Sequence, residues 1–203
     1  MHLVLASSSP YRQELLARFH VPFESKSPAI NEDPMGDETP EALALRLSAA
    51  KAQALSMGYP KHLIIGSDQV ASHKGHFVTK PGSHHKAKAQ LLAFSGSSLN
   101  FYTGLSVLNT ENGQSITETV TSQVHFRVLT EQDIDTYLLA EKPYDCAGSF
   151  KAEGLGITLF DAITSDDPSA IIGLPLIRLR QILEQFNYRV LEHIHLEGTH
   201  IER

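Results

Sequence analysis

The sequence predicts a mixed α/β fold (α+β in layout), with a central mixed sheet flanked by helices, and three observations predict it. Short apolar runs at residues 3–6 and 63–66 are bounded by turn residues, as buried strands are. Two stretches of helical periodicity open on a serine or threonine followed by proline, Ser9-Pro10 and Thr39-Pro40. Two long segments, residues 101–108 and 120–129, flank Glu111-Asn112-Gly113 and read as an antiparallel pair.

In chain order, the first strand runs into Ser7-Ser8-Ser9, and Leu15, Leu16 and Phe19 mark a helix over residues 11–19. Ser9 suits the N-cap and Pro10 the first helical position, so this turn presents free backbone N–H groups. Residues 23–26 form a second strand and residues 28–40 an acidic loop. Leu43, Leu47, Ala50 and Ala54 are the inner face of a helix that stops at Gly58. The run at 63–66 is expected to be a central strand delivering Ser67-Asp68-Gln69 at its carboxyl end, where open α/β sheets bind ligands. A hairpin turns at Lys74-Gly75, and Thr79-Lys80-Pro81-Gly82 leads into a helix capped by Ser83. Thr130 with Asp133 at the third helical position resembles a capping box with Asp in place of Glu. Then come a glycine-rich loop over 142–156, a short strand at 157–160 and a helix starting at Pro175. The domain is expected to span residues 1–188, and residues 189–203 read as a polar tail.

Composition bounds the function. The 203 residues amount to little more than one domain of about 150, and 41% hydrophobic with 20% charged residues can bury a sizeable core. A net charge of −6 argues against a general affinity for nucleic acid, so any polyanion must meet a local cluster of cations. The single cysteine, Cys146, forms no intramolecular disulfide and fits a reducing compartment. No run approaches the roughly 20 apolar residues of a membrane helix, and residues 1–6 lack the basic start of a signal peptide. The expectation is a cytoplasmic protein.

Five constellations carry chemistry. Ser7-Ser8-Ser9-Pro10-Tyr11-Arg12 gathers hydroxyls, exposed N–H groups and an arginine at a helix start, the arrangement that holds a phosphate; an ordinary capped helix has the same signature. Ser67-Asp68-Gln69 is a polar trio directly after an apolar run, suited to an acid at a cleft or to a capped turn. Lys51 lies four residues after Leu47, beside the apolar stripe of its helix, and Lys80 sits before a proline that fixes the chain. Glu32, in an acidic loop, would suit Mg²⁺ near a phosphate site. The run from Ala147 to Gly156 allows close backbone approach, but it lacks the third glycine of a dinucleotide fingerprint.

Taken together, Leu-Ala-Ser-x-Ser-Pro-x-Arg, the Glu32 loop, Ala-Lys51-Ala, Ile-Ile-Gly-Ser-Asp68, Lys80-Pro81, Ala147-Gly148-Ser149-Phe150 and Gly173-Leu174-Pro175 resemble the Maf family of nucleoside triphosphate pyrophosphatases. The match runs in order over about residues 1–188. Ser67-Asp68-Gln69-Val70, Phe101-Tyr102-Thr103-Gly104, Val124-His125-Phe126-Arg127 and Cys146 to Lys151 are similar to the subgroup acting on 7-methyl-GTP. The resemblance implies a two-lobed Maf/ITPase-like fold with a deep cleft, a divalent cation (Mg²⁺ or Mn²⁺), and cleavage of a nucleoside triphosphate to monophosphate and pyrophosphate. It implies Asp68 as proton acceptor, Lys51 and Lys80 with Arg12 and Ser7 on the triphosphate, and Glu32 on the metal. Tyr11, Gln69 and Glu153 fall on the positions that set base preference. Relatives often carry Asp-Glu where this chain has Asn31-Glu32, so one auxiliary carboxylate is missing.

The chemistry suits those residues. Hydrolysing a phosphoanhydride needs cations on the phosphate oxygens and a positioned, deprotonated water. A 7-methylguanine base is cationic, and an aromatic face with a carboxylate would receive it, the roles Tyr11 and Glu153 fit. The expected partner is a nucleoside triphosphate, with a homodimer as an open alternative and neither nucleic acid nor membrane expected. Two other readings stay open: the same reaction on UTP or dTTP, and a nucleotide-binding regulator of cell division without significant catalysis.

Overall fold

The computed structural model describes residues 1–194. A seven-stranded mixed sheet runs in the order β2-β1-β3-β5-β6-β7, with β4 paired to β3 off that path. Its strands are β1 (His2–Ala6), β2 (Phe23–Ser25), β3 (His62–His73), β4 (His76–Val78), β5 (Ser98–Asn109), β6 (Ser115–Phe126) and β7 (Phe160–Ser165). The helices are α1 (Pro10–Ala17), α2 (Pro40–Ala54), α3 (His84–Phe94), α4 (Glu131–Glu141) and α5 (Leu176–Gln185). β1 pairs in parallel with β2 and β3, and every later pairing is antiparallel, as the mixed signals in the sequence predict.

The side-chain alternation of a strand decides which layer each residue joins. In β1, Leu3 and Leu5 enter one core with α1 and α5, whereas Val4 and Ala6 join Ile64 and Ala52 beneath α2. A second large core gathers Leu91 and Phe94 of α3, Ile134 and Leu138 of α4, and a set of T-shaped contacts among Phe101, Phe126, Phe150 and Phe160. β3, β5 and β6 run through both: Leu63 and Ile65 belong to the first core and Ala71 to the second, as Leu105 and Phe101 do on β5. These are the two lobes, and the sheet itself is their connection.

Local rules set the element ends. Thr39 and Ser83 accept first-turn amides of α2 and α3, and Thr130 with Asp133 forms the expected reciprocal capping box of α4. Ser9 occupies the N-cap of α1 with no side-chain cap bond, its backbone alone starting the helix before Pro10.

Four expectations need correction. The trio Ser67-Asp68-Gln69 is not at a strand's carboxyl end: β3 continues to His73, and the trio is its middle. Residues 157–160 are not a strand, because Leu155–Leu159 forms a 3₁₀ turn and the strand follows as β7. The first helix ends at Ala17, and the second at Ala54 before a separate 3₁₀ turn, Ser56–Gly58. Pro175 is the N-cap of α5 and not its first residue. Past residue 188, Val190 is buried against the first core and Ile194 packs on it; the rest of the expected tail lies outside the described residues. No helix among the described residues is long and apolar enough to cross a membrane.

Candidate active site

A cavity of about 640 Å³ opens between the two lobes, and all nine residues singled out in the sequence line it: Ser7, Tyr11, Arg12, Glu32, Lys51, Asp68, Gln69, Lys80 and Glu153. They come from the β1–α1 turn, the first turn of α1, the loop before α2, α2 itself, the middle of β3, the segment after β4 and the loop after α4.

At the floor, α2 lies directly on the sheet. A Cβ at Gly66 would stand 2.1 Å from the Ser48 carbonyl oxygen, and one at Gly104 2.2 Å from that of Ala44, so only glycine allows this approach. The contact carries Lys51 to the waist of β3. Its Nζ, on a side chain 8% exposed, lies 2.6 Å from Asp68 Oδ1 and 2.8 Å from Glu32 Oε1. Two carboxylates share one ammonium, and the Arg12 guanidinium acts on both. Asp68 Oδ2 has no hydrogen-bond partner among the described residues and is the oxygen left for a ligand.

Alternation along β3 divides the work. Asp68 and Val70 face α2, whereas Ser67 and Gln69 face the opposite layer, where they meet the chain leading into α5. Ser67 Oγ lies 2.8 Å from Gly104 O and 2.9 Å from Gly173 O, which satisfies a fully buried hydroxyl. Gln69 Nε2 donates to the carbonyls of Ala170 at 2.9 Å and Ile171 at 3.0 Å.

On the β1–α1 side, Ser7 is buried and its Oγ accepts the Ser9 amide at 3.1 Å, so its own hydrogen remains to donate. The amides of Tyr11 and Arg12 are among the unpaired first-turn donors of α1. Arg12 Nε donates to Gly173 O at 2.8 Å, which aims the rest of the guanidinium. Burial pulls the Arg12 pKa below its ordinary value, against the opposing pull of Asp68 and Glu32. Lys80 is exposed at the cavity wall and makes no ion pair among the described residues.

The surroundings of Tyr11 were only partly read from the sequence. Tyr11 is 39% exposed, and its pKa is raised chiefly by burial, then lowered by Lys151 and raised by Cys146, Glu153 and Asp145, all of which line the cavity. Burial also pushes the Cys146 thiol up to about 11, with Asp145 adding to the shift. Asp145, Cys146 and Lys151 were not singled out as site residues, although Cys146 to Lys151 is one of the segments that carry the subgroup resemblance. The carbonyls of residues 170–173 were missed entirely, because a backbone acceptor leaves no trace in side-chain chemistry.

Among the described residues no group of three or more His, Cys, Asp or Glu side chains gathers to hold a metal. Mg²⁺-type sites in phosphate-handling enzymes take only one or two carboxylates and complete their shell with phosphate oxygens and water. Glu32 and Asp68, both on Lys51, fit that donor set.

A protein of Nitrosococcus oceani named 7-methyl-GTP pyrophosphatase is 53% identical over 189 residues, 93% of this chain and 95% of that one. Proteins of the same name from Cupriavidus pinatubonensis and Pseudoalteromonas translucida are 52% and 49% identical, covering 92% and 93% of this chain and 94% of each relative. The Ham1 protein of Staphylococcus aureus aligns over 92% of this chain and 100% of that chain, at 13% identity and a TM-score of 0.48. The model of the Maf-like protein family matches residues 2–186, nearly the whole of the packed chain, and with relatives half identical along their length this chain belongs to the Maf family.

Proposed function

We propose that this chain is a cytoplasmic, divalent-metal-dependent pyrophosphatase that hydrolyses 7-methyl-GTP to 7-methyl-GMP and pyrophosphate, removing a modified nucleotide. The observation that carries the reading is the pairing of Lys51 with both Asp68 and Glu32 in a cavity that Tyr11 and Glu153 also line. The names of the relatives support the same substrate.

In this reading, Ser7, the free amides of α1, Arg12, Lys51 and Lys80 receive the triphosphate and offset its charge as the leaving group departs. This answers the requirement set by the acidic composition: the cations are few, but they converge. Asp68 takes a proton from the attacking water through Oδ2, while Lys51 holds its other oxygen in place. A Mg²⁺ or Mn²⁺ held by Glu32 would polarise the phosphate oxygens and orient the water. Tyr11 offers an aromatic face and Glu153 an exposed carboxylate to a cationic base, a preference worth about 0.5–2 kcal/mol for the ring alone.

Pyrophosphate release across a panel of 7-methyl-GTP, GTP, UTP and dTTP, with and without Mg²⁺ or Mn²⁺, tests this directly. The expected result is metal-dependent turnover with 7-methyl-GTP preferred. A preference for UTP or dTTP removes the substrate assignment, and binding of nucleotide without turnover removes the enzyme.

A further inference from the structure

We propose that the segment from Asp167 to Gly173, folded on the buried Asp167 carboxylate, is a positioning element that sets Gln69 with its amide oxygen free for the base while holding Arg12 for the phosphates. The proposal rests on the reading above for the identity of the ligand, and on hydrogen bonds alone for the coupling.

Asp167 is 1% exposed. Its Oδ1 accepts the Ser169 amide at 3.1 Å and the Ser169 hydroxyl at 2.6 Å; its Oδ2 accepts the amides of Ile177 at 2.7 Å and Arg178 at 3.1 Å. Those two amides belong to the first turn of α5, whose own N-cap, Pro175, has no side chain able to bond them. Ser169 Oγ in turn accepts the Leu176 amide at 2.7 Å. The buried carboxylate therefore caps α5 from eight or more residues away and ties the intervening chain into a closed turn.

What that turn displays is carbonyl oxygen. Ala170 O and Ile171 O meet Gln69 Nε2, Ala170 O also receives the Thr103 hydroxyl at 3.0 Å, and Gly173 O receives Arg12 Nε. A backbone carbonyl only accepts, so these oxygens fix which end of the Gln69 amide faces them. The nitrogen is committed to the turn, and Oε1, without a partner among the described residues, is what Gln69 has left in a residue lining the cavity. An acceptor there selects a base edge that donates N–H, as guanine does. The same turn orients the guanidinium, so base reading and phosphate grip share one support.

The test is the selectivity ratio, kcat/KM for 7-methyl-GTP over ATP, whose base presents an acceptor where guanine donates N–H, in Asp167→Asn, Ser169→Ala and Gln69→Ala, singly and combined. Asp167→Asn places a donor against backbone donors and should lower the ratio at least about five-fold; Ser169→Ala, the milder change, should lower it about two- to three-fold with the thermal midpoint close to wild type. Asp166→Asn, an exposed neighbour, should leave it unchanged. In the Gln69→Ala background, adding Ser169→Ala should change the ratio less than 1.5-fold, because the residue it positions is gone. A purely structural role would lower all activities together and multiply with Gln69→Ala; either result, or an unchanged ratio in folded Ser169→Ala, overturns the proposal. If the wild type prefers another nucleotide, the ratio is taken between its two best substrates. The coupling then stands or falls separately from the substrate assignment.

Discussion

Lys51 and Asp68 meet at 2.6 Å across 17 positions of chain because Gly66 and Gly104 leave α2 nothing to rest on but the sheet backbone. The pair is thus set by an approach of helix to sheet that a Cβ at either glycine would push apart.

Asp68→Asn keeps the shape but removes the proton acceptor, so turnover should fall by roughly 10²-fold or more while nucleotide still binds. Steady-state rates with a binding titration check this. Partial recovery at raised Mn²⁺ would move Asp68 from base to metal ligand; near-wild-type turnover would remove it from both.

The two lysines should separate. Lys51→Ala strips the buried Asp68 of its partner, so it should lose activity and also about 3 kcal/mol of stability, a fall of roughly 6–12 °C in Tm. Lys80→Ala, exposed and unpaired among the described residues, should leave Tm within about 1 °C and raise KM, with a weaker salt dependence. Melting curves beside kinetics at two salt concentrations distinguish them, and equal effects in both assays would contradict the division.

Selectivity should follow base charge. Tyr11→Ala and Glu153→Gln should each reduce kcat/KM for 7-methyl-GTP several-fold more than for GTP, since only the methylated base is cationic. Losses in equal proportion for the two nucleotides would show that neither side chain reads the charge.

Cys146 lines the cavity, yet burial and Asp145 push its thiol up to about 11. A raised pKa keeps the group protonated below that value, so at pH 8 the thiolate fraction is near 10⁻³ and alkylation by iodoacetamide should run roughly ten-fold or more slower than for an ordinary exposed thiol. The rate should climb through pH 10–11 and fall when nucleotide fills the cavity. Fast labelling at pH 7 would place the thiol in a different environment.

Much of the site was legible because its residues are chemically conspicuous and lie in ordered motifs; Ser7, Lys51, Asp68 and Glu153 all converge on one cavity. Their setting was less legible. Gly66-Ser67-Asp68-Gln69 breaks an apolar run and reads as a strand end, but Ser67 is satisfied by Gly104 and Gly173 and Asp68 by Lys51, so polar residues continue β3 inside the protein. Those partners lie up to 106 positions away, beyond any local pattern. The 3₁₀ turn at Leu155–Leu159 escaped for a related reason: a run of five residues is too short for its period to separate strand from helix.

β3, β5 and β6 each belong to both cores, so the halves of this protein are joined by shared backbone and not by a tether. Parting them means twisting or breaking three strands at once. The floor of the cavity therefore rests on strands shared by both cores, and melting either core should take the other with it. Loss of activity on heating should track global unfolding in one cooperative step, with no half-folded species able to turn over substrate.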